Sequence, residues 1–131
     1  MENSSHPIFS QSDLRTFALE ICSGDEEIFV ELLGDCQTDL RDQFTNLEVA
    51  REAQNWRDFN RAAHSMKSAA RTFGSPLVKE LSFQLEQQSE GGVAEEKLPE
   101  LDEKTRELQE ASKRFEKMLA EIALNPSPFL T

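Results

Sequence analysis

The chain has 131 residues, with 14 lysines and arginines against 25 aspartates and glutamates, which gives a formal net charge of −11. This length corresponds to one domain. A composition of 37% hydrophobic and 30% charged residues provides enough apolar material for a core, and argues against wholesale disorder. Because the average surface repels phosphate, the charge balance excludes a general affinity for nucleic acids or anionic membranes. Any contact with a phosphoryl group therefore requires a local concentration of positive charge.

The sequence lacks the features that would indicate a membrane span, an oxidising compartment or a metal site. No apolar run approaches the roughly 20 residues that span a bilayer. Residues 1–12 lack the basic start and apolar stretch of a signal peptide, so we expect a cytoplasmic protein without membrane contact. The two cysteines, Cys22 and Cys36, fall in apolar segments and are expected to be buried free thiols. Two histidines and five glycines give neither metal-ligand spacing nor a phosphate-binding loop, so no metal or cofactor is expected.

The chain is predicted to begin with a flexible tail over residues 1–11, followed by a short helix after Ser12. One side of this helix is apolar and consists of Leu14, Phe17, Ala18 and Ile21. A second helix is predicted to begin with a capping box, in which Ser23 caps the helix and Glu26 reaches back to it. This helix extends to about Gln54, and its apolar stripe contains Phe29, Leu33, Cys36, Leu40, Phe44 and Leu47.

A third and a fourth helix are predicted on either side of a tight turn. The third helix covers about residues 56–73 and stops at Gly74, a residue that suits the left-handed conformation past a helix end. Ser75 then caps the fourth helix, and Pro76 takes its first position. The glycine pair at residues 91–92 ends the fourth helix, whose apolar stripe consists of Leu77, Leu81 and Leu85.

The last helix is predicted to begin near Pro99 and to end at Asn125 and Pro126, with an apolar stripe of Leu101, Leu108, Phe115, Leu119 and Ile122. Together, the striped helices and short breaks favour an all-α fold, an antiparallel four-helix bundle with a short additional N-terminal helix. In this interpretation the bundle covers residues 12–124 and residues 125–131 form a C-terminal tail. The single-domain length with a tail at each end favours a separate protein over a fragment of a larger kinase.

The third helix places one histidine outside the predicted core. Its buried seam has the alternating spacing of three and four residues that is typical of a bundle, and contains Trp56, Phe59, Ala63, Met66, Ala70 and Phe73. At roughly 100° per residue, this seam covers about 80° of the helix circumference, and His64 lies roughly 130° from its centre. We therefore expect the imidazole to lie outside the core.

Basic residues cluster around this histidine. Four of them lie within roughly 60° of His64 on the helical wheel, namely Arg57, Arg61, Lys67 and Arg71. Residues 57–71 contain four of the 14 basic residues of the chain but only one of its 25 acidic residues. An idle, solvated face is the competing interpretation, since basic stripes on helices are common. The concentration of cations on an acidic chain favours a site instead.

This group of side chains suits a dianionic phosphoryl group. Histidine, with a reference pKa of about 6.5, is largely neutral and nucleophilic at cytoplasmic pH, and exposure allows a donor to approach in line. Lys67 lies one turn away and can screen the charge of the transferred group, and Arg71 adds a second donor two turns along. Because no metal-binding carboxylates accompany the histidine, we expect the phosphoryl group to come from, and go to, another protein.

Residues 63–75, AHSMKSAARTFGS, resemble the signature of histidine-containing phosphotransfer (HPt) domains. That signature has an accepting histidine, a lysine three residues later, small residues after it and a glycine that ends the helix. The residues that follow, Leu77, Leu81 and Leu85-Glu86, are similar to the next helix of the family. The resemblance implies a four-helix bundle with the histidine exposed midway along a helix. It also implies reversible phosphotransfer with the aspartate of a receiver domain in a two-component phosphorelay.

By this resemblance, His64 is the phosphoacceptor, Lys67 stabilises the phosphoryl group and Gly74 ends the helix. Ser68 stands where the family usually has glycine. Since Ser68 borders the approach to His64, slower transfer or altered partner choice is expected rather than loss of function. Glu86 could accept a hydrogen bond from the second ring nitrogen of His64, but we expect an exposed side chain there, because glutamates mostly lie at the surface.

The resemblance also implies a docking surface of apolar and small residues around the histidine. The small residues are Ser65, Ser68 and Ala69, and the basic side chains of Arg57 and Arg61 accompany them. The sequence does not identify the apolar part of this surface. Candidates in the leading segment are Ile8, Phe9 and Leu14, but we expect all three to pack over one end of the bundle.

The leading hypothesis is a phosphocarrier without a nucleotide or metal site of its own. It would accept a phosphoryl group on His64 from a receiver-domain aspartate and pass it to another receiver domain, with a hybrid histidine kinase, a response regulator or both as partners. The alternative is a non-catalytic helical module that binds and regulates a receiver or a kinase. A hydrolytic or metal enzyme is disfavoured, because it would need a nucleophile–base pair or a cluster of metal ligands and the sequence shows neither. A nucleic-acid-binding helix over residues 57–71 is opposed by the net charge of −11.

Overall fold

A computed structural model describes residues 6–131 of the chain, and this part forms helices and no strand. The five α-helices are α1 (Gln11–Thr16), α2 (Glu26–Ala53), α3 (Trp56–Phe73), α4 (Pro76–Ser89) and α5 (Leu98–Leu124). A π-helical turn (Phe17–Ile21) continues α1, and two short 3-10 turns (Glu95–Lys97 and Ser127–Phe129) lie before and after α5. The predicted all-α class is confirmed.

Helices α2 to α5 form the bundle, and their short connections make consecutive helices antiparallel. Helix α3 packs between α2 and α4, and α5 closes the bundle by packing on α2 and α4. The apolar stripe predicted for α2 is buried throughout, and the predicted seam of α3 is buried at Phe59, Ala63, Met66 and Ala70. The seam ends, Trp56 and Phe73, are half-buried. The predicted four-helix bundle with a short leading helix is therefore confirmed.

Both ends of the turn between α3 and α4 follow the sequence prediction. Gly74 ends α3 in the left-handed conformation, with a φ of 88°. The Ser75 hydroxyl then caps α4 by accepting a hydrogen bond from the backbone N–H of Val78 at 3.2 Å. Pro76 takes the first position of α4, where its missing N–H has no helical partner to lose. This turn fixes how α3 and α4 lie against each other.

The start of α2 differs from the prediction. The cap is Asp25 rather than Ser23, and its carboxylate accepts a hydrogen bond from the backbone N–H of Ile28 at 3.0 Å. Ser23 and Gly24 both have positive φ values, 54° and 71°, so they form the turn that leads into the helix. The predicted capping box was wrong because aspartate caps a helix as well as serine does. Ser23, the predicted cap, instead belongs to the turn that precedes Asp25.

The leading helix also departs from the predicted pattern. It begins at Gln11 rather than after Ser12, because the Ser10 hydroxyl accepts a hydrogen bond from the N–H of Asp13 at 3.3 Å. Ile21, predicted on the apolar side, is 67% exposed, whereas the other three members of that side are buried (Leu14, Phe17 and Ala18). The π-helical turn explains the difference, since its wider winding rotates its last residue, Ile21, away from the α-helical register.

The segment before α1 runs across the turn between α3 and α4. The N–H of Ser10 donates to the carbonyl of Gly74 at 2.7 Å, and the N–H of Leu77 donates to the carbonyl of Pro7 at 2.9 Å. These two backbone hydrogen bonds join residues 7–10 to the bundle. The predicted tail over residues 1–11 lies partly outside the described residues, and the domain boundaries stay predictions.

The three apolar docking candidates of the leading segment pack over the bundle, as expected. Leu14 is fully buried, and Ile8 and Phe9 are partly buried against the core. The ring of Phe9 meets the ring of Phe129 edge-on, with centroids 6.1 Å apart. These side chains therefore cover one end of the bundle.

Both cysteines are buried free thiols, as predicted. Burial, with smaller contributions from Asp39 and Glu116, raises the pKa of the Cys36 thiol to about 12. Burial also raises the pKa of Cys22, with a smaller contribution from Asp25. Both side chains therefore stay protonated at neutral pH and act as small apolar residues of the core.

Gly74 is expected to be essential for the turn, because it combines a positive φ with close packing. A Cβ added there would lie 2.9 Å from the carbonyl oxygen of Ser10. We expect Gly74→Ala to lower the free energy of unfolding by about 1–3 kcal/mol in urea titrations. Gly34→Ala is the matched control: it lies inside α2 with open space around its Cβ position, and should stabilise the fold by up to about 1 kcal/mol. Equal effects of the two changes would contradict this account.

Candidate functional site

His64 lies midway along α3 with its side chain 57% exposed, as the helical spacing predicted. Its Nδ1 atom lies 2.7 Å from Oε2 of Glu86 on α4. An ionised carboxylate only accepts hydrogen bonds, so the Nδ1–H of the neutral ring donates to Glu86. The lone pair of the neutral imidazole is then on Nε2. The exposed histidine is thus held by one nitrogen and nucleophilic at the other.

Glu86 joins the histidine to the lysine of the predicted site. The Lys67 ammonium lies 2.7 Å from Oε1 of Glu86, while Oε2 faces His64. The side chains of Lys67 and Glu86 are only 19% and 18% exposed. Our expectation of an exposed glutamate was therefore wrong. The reason is that α4 packs tightly on α3. This packing covers the side of α4 on which Glu86 lies, next to the buried core residue Leu85.

An aromatic ring supports the lysine from the other side. The ammonium of Lys67 lies 5.2 Å from the ring centroid of Phe83, a distance at which a cation is attracted to the ring face. Phe83 is 39% exposed and precedes Glu86 by one turn of α4. Sequence reasoning missed Phe83. The available signal was the spacing of three residues, which places Phe83 and Glu86 on the same side of their helix.

Asn60 ties the two helices of the site together one turn before His64. Its amide donates to the backbone carbonyl of Glu86 at 2.6 Å and to the hydroxyl oxygen of Ser89 at 3.2 Å. The Ser89 hydroxyl in turn donates to the carbonyl of Leu85 at 2.8 Å. These hydrogen bonds hold the backbone of Glu86 against α3, and so fix the carboxylate opposite the imidazole.

The site keeps Glu86 ionised. Burial alone would raise the pKa of this carboxyl, but hydrogen bonds from Lys67 and His64, together with their charges, outweigh burial and lower the pKa below its ordinary value. A carboxylate in this position is therefore a permanent negative charge between His64 and Lys67 at neutral pH.

The remaining predicted residues surround this centre. Arg57, Arg61 and Arg71 are exposed, and Arg61 lies 4.0 Å from the carboxylate of Asp58. Arg57 also lines an open cleft of about 440 Å³ that begins one turn from His64, between the start of α3 and the turn after α4. The small residues of the predicted docking surface, Ser65, Ser68 and Ala69, are half-buried. Of the four basic residues, Lys67 is thus the one that shares a partner with the histidine.

Residues 6–131 contain no group of three or more histidines, cysteines or carboxylates that could hold a metal ion. No helix in this part of the chain is long and apolar enough to cross a membrane.

Comparison with protein families matches residues 31–124 to the Hpt domain. The matched region covers most of the chain, including α3, α4, α5 and the greater part of α2. The chain therefore belongs to the Hpt domain family. Hpt domains are phosphocarriers that transfer phosphoryl groups on histidine in two-component phosphorelays, and they interact with receiver domains. No match was found among curated proteins or among solved structures.

The pKa of Glu86 gives a prediction for pH dependence. Because the pKa in the folded chain is below the 4.5 of an unperturbed glutamate, the ionised carboxylate stabilises the fold above about pH 4.5. This contribution is lost as the pH falls through the folded-state value. We expect a carbon-detected NMR titration to give the Glu86 carboxyl a midpoint below 4.5. In Lys67→Gln the midpoint should rise, since one hydrogen-bonded cation is gone; an unchanged midpoint would exclude the ammonium as its partner.

Proposed function

We propose that the chain is a phosphorelay phosphocarrier in which His64 accepts a phosphoryl group from a receiver-domain aspartate and passes it to another receiver domain. The observation that carries this proposal is the exposed imidazole of His64, held through Nδ1 by Glu86. Membership of the Hpt family supports the same chemistry. We propose the receiver domains of a hybrid histidine kinase, a response regulator or both as partners.

The chemistry needs no proton transfer at the histidine. The Nε2 lone pair attacks the phosphorus in line, and the P–O bond to the donor aspartate breaks, its electrons staying on the released carboxylate. In the second transfer, a carboxylate oxygen of the acceptor attacks the phosphorus. The P–N bond then breaks, and its electrons return to Nε2. The Nδ1–H of His64 remains bonded to Glu86 throughout.

Lys67 is proposed to stabilise the charge of the phosphoryl group during both transfers. Its ammonium is mostly shielded from solvent, so its attraction for an anion is screened less than that of a fully exposed lysine. Phe83 and Glu86 keep the ammonium close to the imidazole side of α3. Arg71 is exposed and is proposed only as an auxiliary cation.

The docking surface is proposed to consist of the small residues on the exposed side of α3, with basic residues beside them. The half-buried side chains of Ser65, Ser68 and Ala69 are small and do not protrude far from α3, which allows a receiver domain to approach closely. Arg57 and Arg61 are exposed and can attract the carboxylates that surround a receiver aspartate. The Ser68 hydroxyl narrows this approach compared with the usual glycine, and is proposed to slow transfer or to alter partner choice.

The proposed location is the cytoplasm. Two buried thiols that remain unpaired fit a reducing compartment.

His64 is tested by mixing the chain with a panel of phosphorylated receiver domains and measuring phosphate by gel and mass spectrometry. We expect an acid-labile, base-stable phosphate on the chain, and none on His64→Gln. His6→Gln is the matched control, since it removes the other histidine of the chain and should leave labelling unchanged. Circular dichroism checks that both variants keep the helical fold. Labelling that survives in His64→Gln would contradict the assignment.

One observation favours the alternative, a non-catalytic module that binds and regulates a receiver or a kinase. Glu86 places a negative charge beside His64 and already neutralises Lys67, which reduces the attraction for a phosphoryl dianion. A receiver domain that binds the chain without phosphate appearing on His64 would support this alternative.

Lys67 is expected to affect the rate of transfer rather than the fold. We expect Lys67→Gln to slow phosphotransfer from a receiver domain about ten- to a hundred-fold, which corresponds to about 1.4–2.7 kcal/mol in the transition state. Lys113→Gln removes a lysine from α5, beside the groove with α2, and is the control for net charge. An equal loss in both variants would mean that long-range charge, and not the position of Lys67, determines the rate.

A further inference from the structure

Two pairs of residues flank His64 on helix α3. Asn60 and Lys67 lie on one side of it, at roughly 40° and 60° around the helix axis. Arg61 and Ser68 lie on the other side, at roughly 60° and 40°. The first pair bonds to α4, through the amide of Asn60 at 2.6 Å and the ammonium of Lys67 at 2.7 Å. The side with Arg61 and Ser68 therefore faces away from α4.

The imidazole of His64 directs its second nitrogen toward this outer side. Its Nδ1 atom lies 2.7 Å from Oε2 of Glu86, so Nδ1 points at α4. The two nitrogens of an imidazole are separated by one ring carbon, and their outward directions are therefore nearly opposite. A group bonded to Nε2 accordingly lies away from α4, on the side of α3 that carries Arg61 and Ser68.

The direction of side chains along the helix favours Arg61 further. In an α-helix the bond from Cα to Cβ is tilted toward the N-terminus, so a long side chain covers the turn that precedes it. Arg61 belongs to that turn, since it lies three residues before His64, and Cβ atoms at this spacing are about 5–6 Å apart. Arg71 lies two turns beyond His64, in the opposite direction. A group on Nε2 is therefore within the reach of the Arg61 side chain.

Arg61 can turn toward such a group at little cost. Its guanidinium lies 4.0 Å from the carboxylate of Asp58, and the two side chains are 66% and 54% exposed. An ion pair that is this long and this exposed contributes little stability. The ammonium of Lys67, by contrast, lies 2.7 Å from the largely shielded carboxylate of Glu86. Arg61 can therefore bind an anion without giving up a strong ion pair.

We propose that Arg61 is a catalytic residue that binds the phosphoryl group on Nε2 of His64 from the side opposite Lys67. This inference rests on the proposed function, and it gives Arg61 a role beyond docking. A guanidinium offers parallel N–H groups to two phosphoryl oxygens, and its charge offsets the negative charge on them during transfer. Arg61 gives up no proton. The bonds that form and break are those of phosphorus with Nε2 and with the aspartate oxygen.

Phosphoramidate separates phosphoryl binding from docking, because this small donor needs no docking surface. Nε2 of His64 attacks its phosphorus, the P–N bond of the donor breaks, and ammonia leaves with the electrons of that bond. We expect Arg61→Gln to accept phosphate about tenfold more slowly than the wild-type chain. Arg61→Lys should recover part of the rate, since it keeps the charge but not the paired N–H groups. Arg114→Gln, which removes an exposed arginine of α5, should react at the wild-type rate.

The phosphorylated chain provides a second measurement, by ³¹P NMR titration of the phosphohistidine. A cation that binds the phosphoryl group favours its dianion, and so lowers the pKa at which the monoanion loses its last proton. We expect a higher midpoint in Arg61→Gln than in the wild-type chain, and an unchanged midpoint in Arg114→Gln. Circular dichroism checks that each variant keeps the helical fold.

The outcomes separate this inference from the proposed function. Equal rates with phosphoramidate, or equal midpoints, for the wild-type chain and Arg61→Gln would overturn the role of Arg61 while leaving His64 as the acceptor. A loss seen with receiver domains but not with phosphoramidate would restrict Arg61 to docking, and an equal loss in Arg114→Gln would assign the effect to net charge. Either result would also overturn the inference. A wild-type chain that accepts phosphate from no donor would contradict the proposed function and, with it, this inference.

Discussion

The site depends on one carboxylate that is held between an imidazole and an ammonium. Glu86 accepts from His64 on one oxygen and pairs with Lys67 on the other. Without it, Lys67 would be a largely shielded cation beside the ring of Phe83, and His64 would lose the hydrogen bond at Nδ1. The imidazole and the ammonium are therefore parts of one network, in which a change at any member alters the other two.

The bundle makes this network possible by fixing two helices at a short distance. The Asn60 amide bonds to the backbone of α4, and the turn at Gly74 leads α3 directly into α4. The segment before α1 then crosses that turn and bonds to both of its sides, at Gly74 and at Leu77. Since these contacts are made by the backbone or with the backbone, they set the helix positions independently of the side chains of His64, Lys67 and Glu86.

Helical periodicity was sufficient to predict the features that lie within one helix. The spacing of the α3 seam correctly placed Phe59 and Met66 in the core and His64 outside it, because one face of a helix is determined by its own residues. The position of Glu86 required knowledge of how closely α4 packs on α3, and the statistics of exposed glutamates gave the wrong answer. The prediction for Ile21 failed for a related reason, since the π-helical turn that ends at this residue breaks the register on which the prediction relied.

The paired lysine also bears on the reversibility that a phosphocarrier requires. A carrier that bound the phosphoryl group too strongly would accept it and then fail to release it, so the phosphorylated and free forms must have similar free energies. Lys67 has a partner in the free form, namely Glu86, and therefore gains less when a phosphoryl group arrives than an unpaired ammonium would. If Lys67 binds the phosphoryl group as proposed, its pairing with Glu86 in the free form reduces the difference in free energy between the free and the phosphorylated forms, and a small difference suits a group that must be both accepted and donated.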